Sequence, residues 1–217
     1  MSLILGGKRL EVPGTRVTSW LDEPKRVPQV RDGRVRASVP TAIVLHTSRG
    51  VPGVIRPGAR ASGVAEALAR YQATTERDVS WHLTVDTDGE VLQSCDVVSW
   101  LAWHASSANG WTVGIELAQH PDSGDLWSAQ VDALVAVCDV ICRELGIPRC
   151  VPVDASGQPF VGPVRAWQEK SEGGRGERFV GLVGHRNLTR NRGPGDPGSA
   201  IFEALLGRGY AGIAVPQ

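Results

Sequence analysis

Residues 41–46 read Thr41-Ala-Ile-Val-Leu-His46. A short, continuous, branched apolar stretch predicts a strand buried on both faces. Its end is marked by an imidazole. Phe179-Val-Gly-Leu-Val-Gly184 repeats the pattern, and His185 closes it. A third strand is expected from Trp111 to Leu117. Period two in that strand puts Thr112, Gly114 and Glu116 on one face and Val113, Ile115 and Leu117 on the other.

Helical spacing alternates with these strands. Ser62 is expected to cap a helix whose apolar face is Val64, Leu68 and Tyr71. Ser128 opens a second helix with the stripe Val131, Leu134, Val135, Cys138, Ile141, Cys142 and Leu145, which Gly146 and Pro148 stop. Val79 to Asp86 alternates as a strand, and Asp88-Gly89 predicts a hairpin turn into Glu90-Val-Leu-Gln93. Asp196-Pro197-Gly198 opens a short last helix through Leu206. The fold class is therefore α/β, a single domain with a mixed central β-sheet flanked by helices. Residues 1–40, rich in Pro, Arg and Val, are expected to form an N-terminal arm with one or two short strands. Residues 41–217 form the main domain, with a long loop at 149–178 that lacks clear periodicity.

Composition bounds the function. The chain has 217 residues, enough for a core that needs neither disulfides nor metal to fold. Lys plus Arg is 23 and Asp plus Glu is 23, so the net charge is zero. Neutrality argues against nucleic acid and anionic membranes as partners. No run approaches 18 apolar residues, which excludes a transmembrane helix. The start Met1-Ser-Leu-Ile-Leu-Gly-Gly-Lys-Arg9 carries no expected secretory signal. Cys95, Cys138, Cys142 and Cys150 lack zinc-site spacing and are expected as buried, reduced thiols. A monomer is expected.

Phosphate-loop, nucleophile-elbow and H-E-x-x-H signatures are absent. The chemistry must come from polar residues at strand ends. His46 and His185 can converge above one sheet edge, where neutral imidazoles suit zinc. Asp196, 11 residues after His185, can fold back as an oxygen ligand. Each residue alone has a structural reading: a hydrogen-bonded core histidine, or an N-cap before a proline. Glu116 is a carboxylate in an apolar strand, costly unless it is paired with an arginine, near a metal or facing a cleft. Small Gly114 beside it leaves room for a ligand. Its functional reading is a general base next to activated water. His82 and His104 each follow a tryptophan, Trp81 and Trp103, and such pairs line a sugar or peptide groove or simply pack in a core.

Together these segments resemble a family. Ile43-Val-Leu-His46-Thr47, Ser80-Trp-His82-Leu-Thr-Val-Asp86, Trp103-His104-Ala105, Gly114-Ile-Glu116-Leu117, Gly184-His185-Arg186 and Asp196-Pro-Gly198 occur in the order seen in zinc-dependent N-acetylmuramoyl-L-alanine amidases. That group takes in phage lysozyme-type amidases, the cytosolic anhydromuropeptide amidase and the peptidoglycan-recognition proteins. The resemblance spans roughly residues 40–207. It implies a mixed sheet with a zinc cleft, Zn2+ held by His46, His185 and Asp196, and Glu116 as catalytic acid and base. Trp81, His82 and His104 are assigned to substrate binding. The implied reaction is hydrolysis of the amide between the lactyl group of N-acetylmuramic acid and L-alanine in peptidoglycan.

The sequence departs from the family at two positions. Where members often carry a lysine two residues before the third ligand, this chain has Pro194, and where some carry a tyrosine beside the strand histidine it has Trp81. Arg192 is the expected replacement for the missing cation, with Arg190 and His104 as alternatives. The setting favoured is cell-wall degradation, by an endolysin-like enzyme or a delivered effector. The competing readings are a peptidoglycan-binding module that does not cut, a cytosolic recycling amidase, and an unrelated α/β domain with structural histidines.

Overall fold

The computed structural model describes residues 2–31, 34–60, 63–189 and 191–216. In chain order the elements are β1 (Leu3–Leu5), β2 (Lys8–Leu10), β3 (Val17–Ser19), β4 (Arg34–Val35), β5 (Ala42–Thr47), β6 (Ile55–Arg56), α1 (Val64–Thr74), β7 (Leu83–Val85), β8 (Val91–Gln93) and β9 (Trp100–Leu101). A 3-10 turn, Ser106–Trp111, leads into β10 (Thr112–Leu117) and β11 (Leu126–Trp127). Then follow α2 (Ser128–Leu145), β12 (Cys150–Val153), α3 (Arg165–Ser171), β13 (Gly181–Gly184), α4 (His185–Leu188), α5 (Ser199–Gly207) and β14 (Ala211–Ala214).

Six strands make the central sheet in the order β13-β5-β10-β7-β8-β3. β13, β5, β10 and β7 run parallel; β8 is antiparallel to β7 and parallel to β3. Ile43, Leu45, Val113, Ile115 and Leu117 face α2 and pack with Val131, Leu134, Cys138 and Ile141. Burial of each such side chain contributes roughly 1.5–3 kcal/mol, which makes this face the main source of stability. α2 ends at Gly146, whose φ of 68° a side chain would strain. The opposite face carries Ala42 and Val44 against Trp111, Trp167, Phe179 and Leu188. It also carries the polar residues at the strand ends. A parallel sheet offers a ligand crevice at the carboxyl ends of its strands, and here β5, β10 and β13 end together.

Four expectations need amendment. Residues 1–40 supply more than short strands on an arm: β3 is an edge strand of the central sheet, and Leu3, Leu5, Val12 and Val17 enter the main core. The segment 149–178 holds a buried strand, β12, and a helix, α3; four and seven residues are too short to show a period. Only Leu83–Val85 of the stretch 79–86 is strand. The buried side of α1 is Ala65, Ala69 and Gln72, one residue out of phase with the expected stripe, while Leu68 and Tyr71 line a cleft. The expected cap, Ser62, lies outside the described residues. All four cysteines are buried and free. No described helix is long and apolar enough to cross a membrane.

Candidate metal centre

His46 is the fifth residue of β5, and parallel pairing sets it beside Glu116 of β10. Both side chains leave the sheet on the face opposite α2. β13 ends at Gly184, and His185 begins α4 next to β5. The turn is held by Asn187, whose Oδ1 accepts the Gly184 N–H (2.8 Å) and whose Nδ2 donates to Phe160 O and Gly162 O. The stretch expected as a bare loop thus braces the strand end that carries His185.

Asp196 arrives by close backbone packing. A Cβ on Gly193 would meet Gly50 O at 2.1 Å, and one on Gly195 would meet the Val51 carbonyl carbon at 1.9 Å. Only glycines let this loop lie against residues 50–52. The Gly195 N–H donates to Gly50 O, and the Thr47 hydroxyl donates to Gly195 O. Asp196 Oδ1 then accepts the Thr47 N–H at 3.0 Å. α5 starts at Ser199 with Gly198 as its cap, so the Asp196 side chain does not cap it.

These placements bring His46, His185 and Asp196 together. Each offers one ligand atom, and the three atoms lie within 4.8 Å of one another. His185 Nδ1 is 3.4 Å from Asp196 Oδ2, and His46 Nδ1 is 4.0 Å from Asp196 Oδ1. The two rings sit edge to face, 4.5 Å between centroids. All three residues are buried, at 5%, 5% and 4% exposure. His185 Nδ1 is a buried nitrogen with no hydrogen-bond partner. Such an atom is costly to leave unpaired, and a cation beside it and the carboxylate removes that cost. Burial, then the neighbouring His185, His104 and Arg192, hold the His46 imidazole well below its usual pKa and keep it neutral, as metal ligation requires. The residues therefore fit a zinc-type site of two imidazoles and one carboxylate.

Glu116 sits beside them at 7% exposure. Burial, then repulsion from Asp196, pushes its carboxyl well above the usual range, with Arg192 opposing. Arg192 Nε is 3.9 Å from Asp196 Oδ2, its side chain half exposed at the mouth. The cleft holds a cavity of about 410 Å³, lined by His46, Glu116, His185, Asp196 and Arg192, with Trp81, Trp103, His104, Leu68, Tyr71 and Arg77 among the other walls. Trp81 donates its indole N–H to Thr84 Oγ1 and so offers the cleft only its ring.

Two expected groove residues are placed differently. His82 is fully buried beneath the cleft; Nδ1 accepts the Gly114 N–H, and Nε2 faces Trp100 O and Arg36. It is a core histidine with no surface for a ligand. His104 lines the cleft with its ring, but its nitrogens are engaged by His46 and Thr112. The room beside Gly114 belongs to that ring: a Cβ there would meet His104 Cγ at 2.6 Å. Arg190 lies outside the described residues. Leu68, Tyr71 and Arg77 are further walls; for Leu68 and Tyr71 the signal in the sequence is the polar Gln72, which turns inward to accept the Trp81 backbone N–H and so sets the rotation of α1.

An Amidase_2 family model, described as N-acetylmuramoyl-L-alanine amidase, matches residues 36–198. No match to a curated protein sequence was found. Among solved structures, the endolysin N-acetylmuramoyl-L-alanine amidase LysCS from Clostridium intestinale is 12% identical, with a TM-score of 0.52, over 91% of this chain and 96% of that one. Peptidoglycan recognition protein SD of Drosophila is 15% identical, with a TM-score of 0.55, over 95% and 100%. A selenomethionine derivative of AmpD is 20% identical, with a TM-score of 0.51, over 94% and 99%. At these identities the structures share the fold. The family match spans most of the chain and all six segments quoted from the sequence, so this protein belongs to the N-acetylmuramoyl-L-alanine amidase family.

Proposed function

We propose that this protein is a zinc-dependent hydrolase of the amide that joins the lactyl group of N-acetylmuramic acid to L-alanine in peptidoglycan. The observation that carries the reading is the convergence of His46, His185 and Asp196, with Glu116 alongside. In this reading the two imidazoles and the Asp196 carboxylate hold the metal. Zinc held there would supply Lewis acidity toward the scissile carbonyl and would lower the pKa of water toward roughly 7.

The chain's own groups do the rest. Glu116, with its raised pKa, takes a proton from the attacking water and passes it to the departing nitrogen of L-alanine. Burial makes that carboxylate a stronger base than an exposed one. Arg192 lines the same space from the mouth, and its positive charge there would stabilise negative charge that develops on the carbonyl oxygen. It stands in for the lysine that Pro194 replaces. The Trp81 and Trp103 rings give apolar walls suited to sugar faces and the lactyl–alanine segment. The physiological role proposed is wall degradation.

Metal analysis tests the assignment. The purified protein, dialysed against trace zinc, is expected to retain about one zinc per chain. His46→Ala and Asp196→Ala are expected to lose both zinc and turnover while keeping a folded far-UV spectrum. Full zinc occupancy in either variant removes that residue from the ligand set.

A further inference from the structure

We propose that His104 and Thr112 are positioning residues that fix the tautomer of His46, and so dictate which of its nitrogens is presented to the metal. The proposal rests on His46 being a ligand. Its evidence is a hydrogen-bond chain whose direction is fixed at one end.

The chain starts at a backbone carbonyl. Ala108 O, in the 3-10 turn, accepts a hydrogen bond from Thr112 Oγ1 at 2.7 Å. A hydroxyl has one hydrogen, so toward any other neighbour Thr112 Oγ1 is an acceptor. That neighbour is His104 Nε2, at 3.3 Å, which must carry the hydrogen. A neutral imidazole has a single N–H, so His104 Nδ1 presents a lone pair. His104 Nδ1 lies 3.1 Å from His46 Nε2, and two ring nitrogens at that distance need one hydrogen between them. It sits on His46 Nε2. His46 Nδ1 is left with its lone pair, and that is the nitrogen nearest the Asp196 carboxylate.

The surroundings hold this chain in place. The His104 and Ala105 N–H groups both donate to Asn109 Oδ1, at 2.9 and 2.6 Å. The His104 ring lies over Gly114, where any side chain would collide with Cγ and Nδ1 at 2.6 and 2.8 Å. Ligating histidines commonly donate their second N–H to a carboxylate, carbonyl or water, which fixes ring and tautomer. Here a second imidazole takes that part, and a carbonyl and hydroxyl set its polarity.

The test uses the metal-free full chain and two variants at the keystone. Thr112→Val removes the hydroxyl at nearly constant volume; Thr112→Ser keeps it. Long-range proton–nitrogen correlation spectra of the 15N-labelled apo protein report each imidazole's tautomer. Zinc affinity is measured by competition with a chromogenic chelator. The wild type is expected to show His46 and His104 both as Nε2–H. Thr112→Val is expected to mix the tautomers of both rings and weaken zinc binding about tenfold, the low end for loss of an outer-shell partner. Thr112→Ser is expected to restore both within about twofold. An Nδ1–H form of His46 in the wild-type apo protein, or Thr112→Val with wild-type zinc affinity, overturns the proposal. If Thr112→Val folds poorly, the wild-type spectrum decides the direction of the chain by itself. If the wild type binds no zinc, the ligand role of His46 fails, and with it the proposed hydrolase, whatever the tautomers show.

Discussion

Glu116 stands beside His46 in the register of two parallel strands, so the group read as the base and the group read as a ligand are fixed to one another by backbone hydrogen bonds. No loop movement is needed to bring them together. Both side chains project from the face opposite α2, and the buried carboxyl is held well above its usual pKa. Glu116→Gln keeps the shape and removes the proton acceptor. Zinc content is expected to stay at the wild-type level while turnover falls on the order of 10²–10⁴-fold. Turnover near wild type makes Glu116 a structural residue.

His82 supplies a pH dependence of stability. Burial, then Arg36, depress its pKa from 6.5 to about 3. Below roughly pH 6.5 the unfolded chain binds a proton at this residue that the folded chain refuses until about pH 3. Its contribution therefore falls as pH drops through that window, by up to about 1.4 kcal/mol per pH unit. Urea unfolding of the apo protein between pH 7 and 5 is expected to show decreasing stability, with a shallower slope in His82→Gln. Equal slopes in the two proteins refute the assignment.

Arg192 separates transition-state help from substrate binding. Its half-exposed guanidinium lies at the cleft mouth, 3.9 Å from Asp196. If it stabilises charge developing on the carbonyl oxygen, Arg192→Ala lowers kcat on a soluble muropeptide at least tenfold with zinc retained. A kcat within twofold of wild type, with KM raised, assigns it instead to a carboxylate of the stem peptide.

The parts of the site that lie on strands were legible in the sequence. The apolar runs before His46 and His185, and the two faces of β10, follow from period and burial alone. Asp196 was readable only as a residue able to fold back, because its position depends on Gly193 and Gly195 packing against residues 50–52, a contact between distant segments. The place of His104 was hidden for the same reason: Gly114 admits the ring from across the sheet face. In α1 the apolar spacing points to the wrong face because Leu68 and Tyr71 serve a cleft wall, whereas small Ala65 and Ala69 and polar Gln72 face the core. Hydrophobicity reports burial, and a ligand groove takes apolar residues that the core does not use.

The proposed activity breaks one amide bond, and mass spectrometry of digested, purified sacculi reads that bond itself. Zinc-loaded protein is expected to release stem peptides with a free L-alanine amino terminus and leave glycan strands whose lactyl groups end in carboxylates. Glu116→Gln should release neither product. Sacculi that bind the wild-type protein yet yield no such peptides, with soluble muropeptides equally intact, would rule out the hydrolase and leave a recognition module in its place.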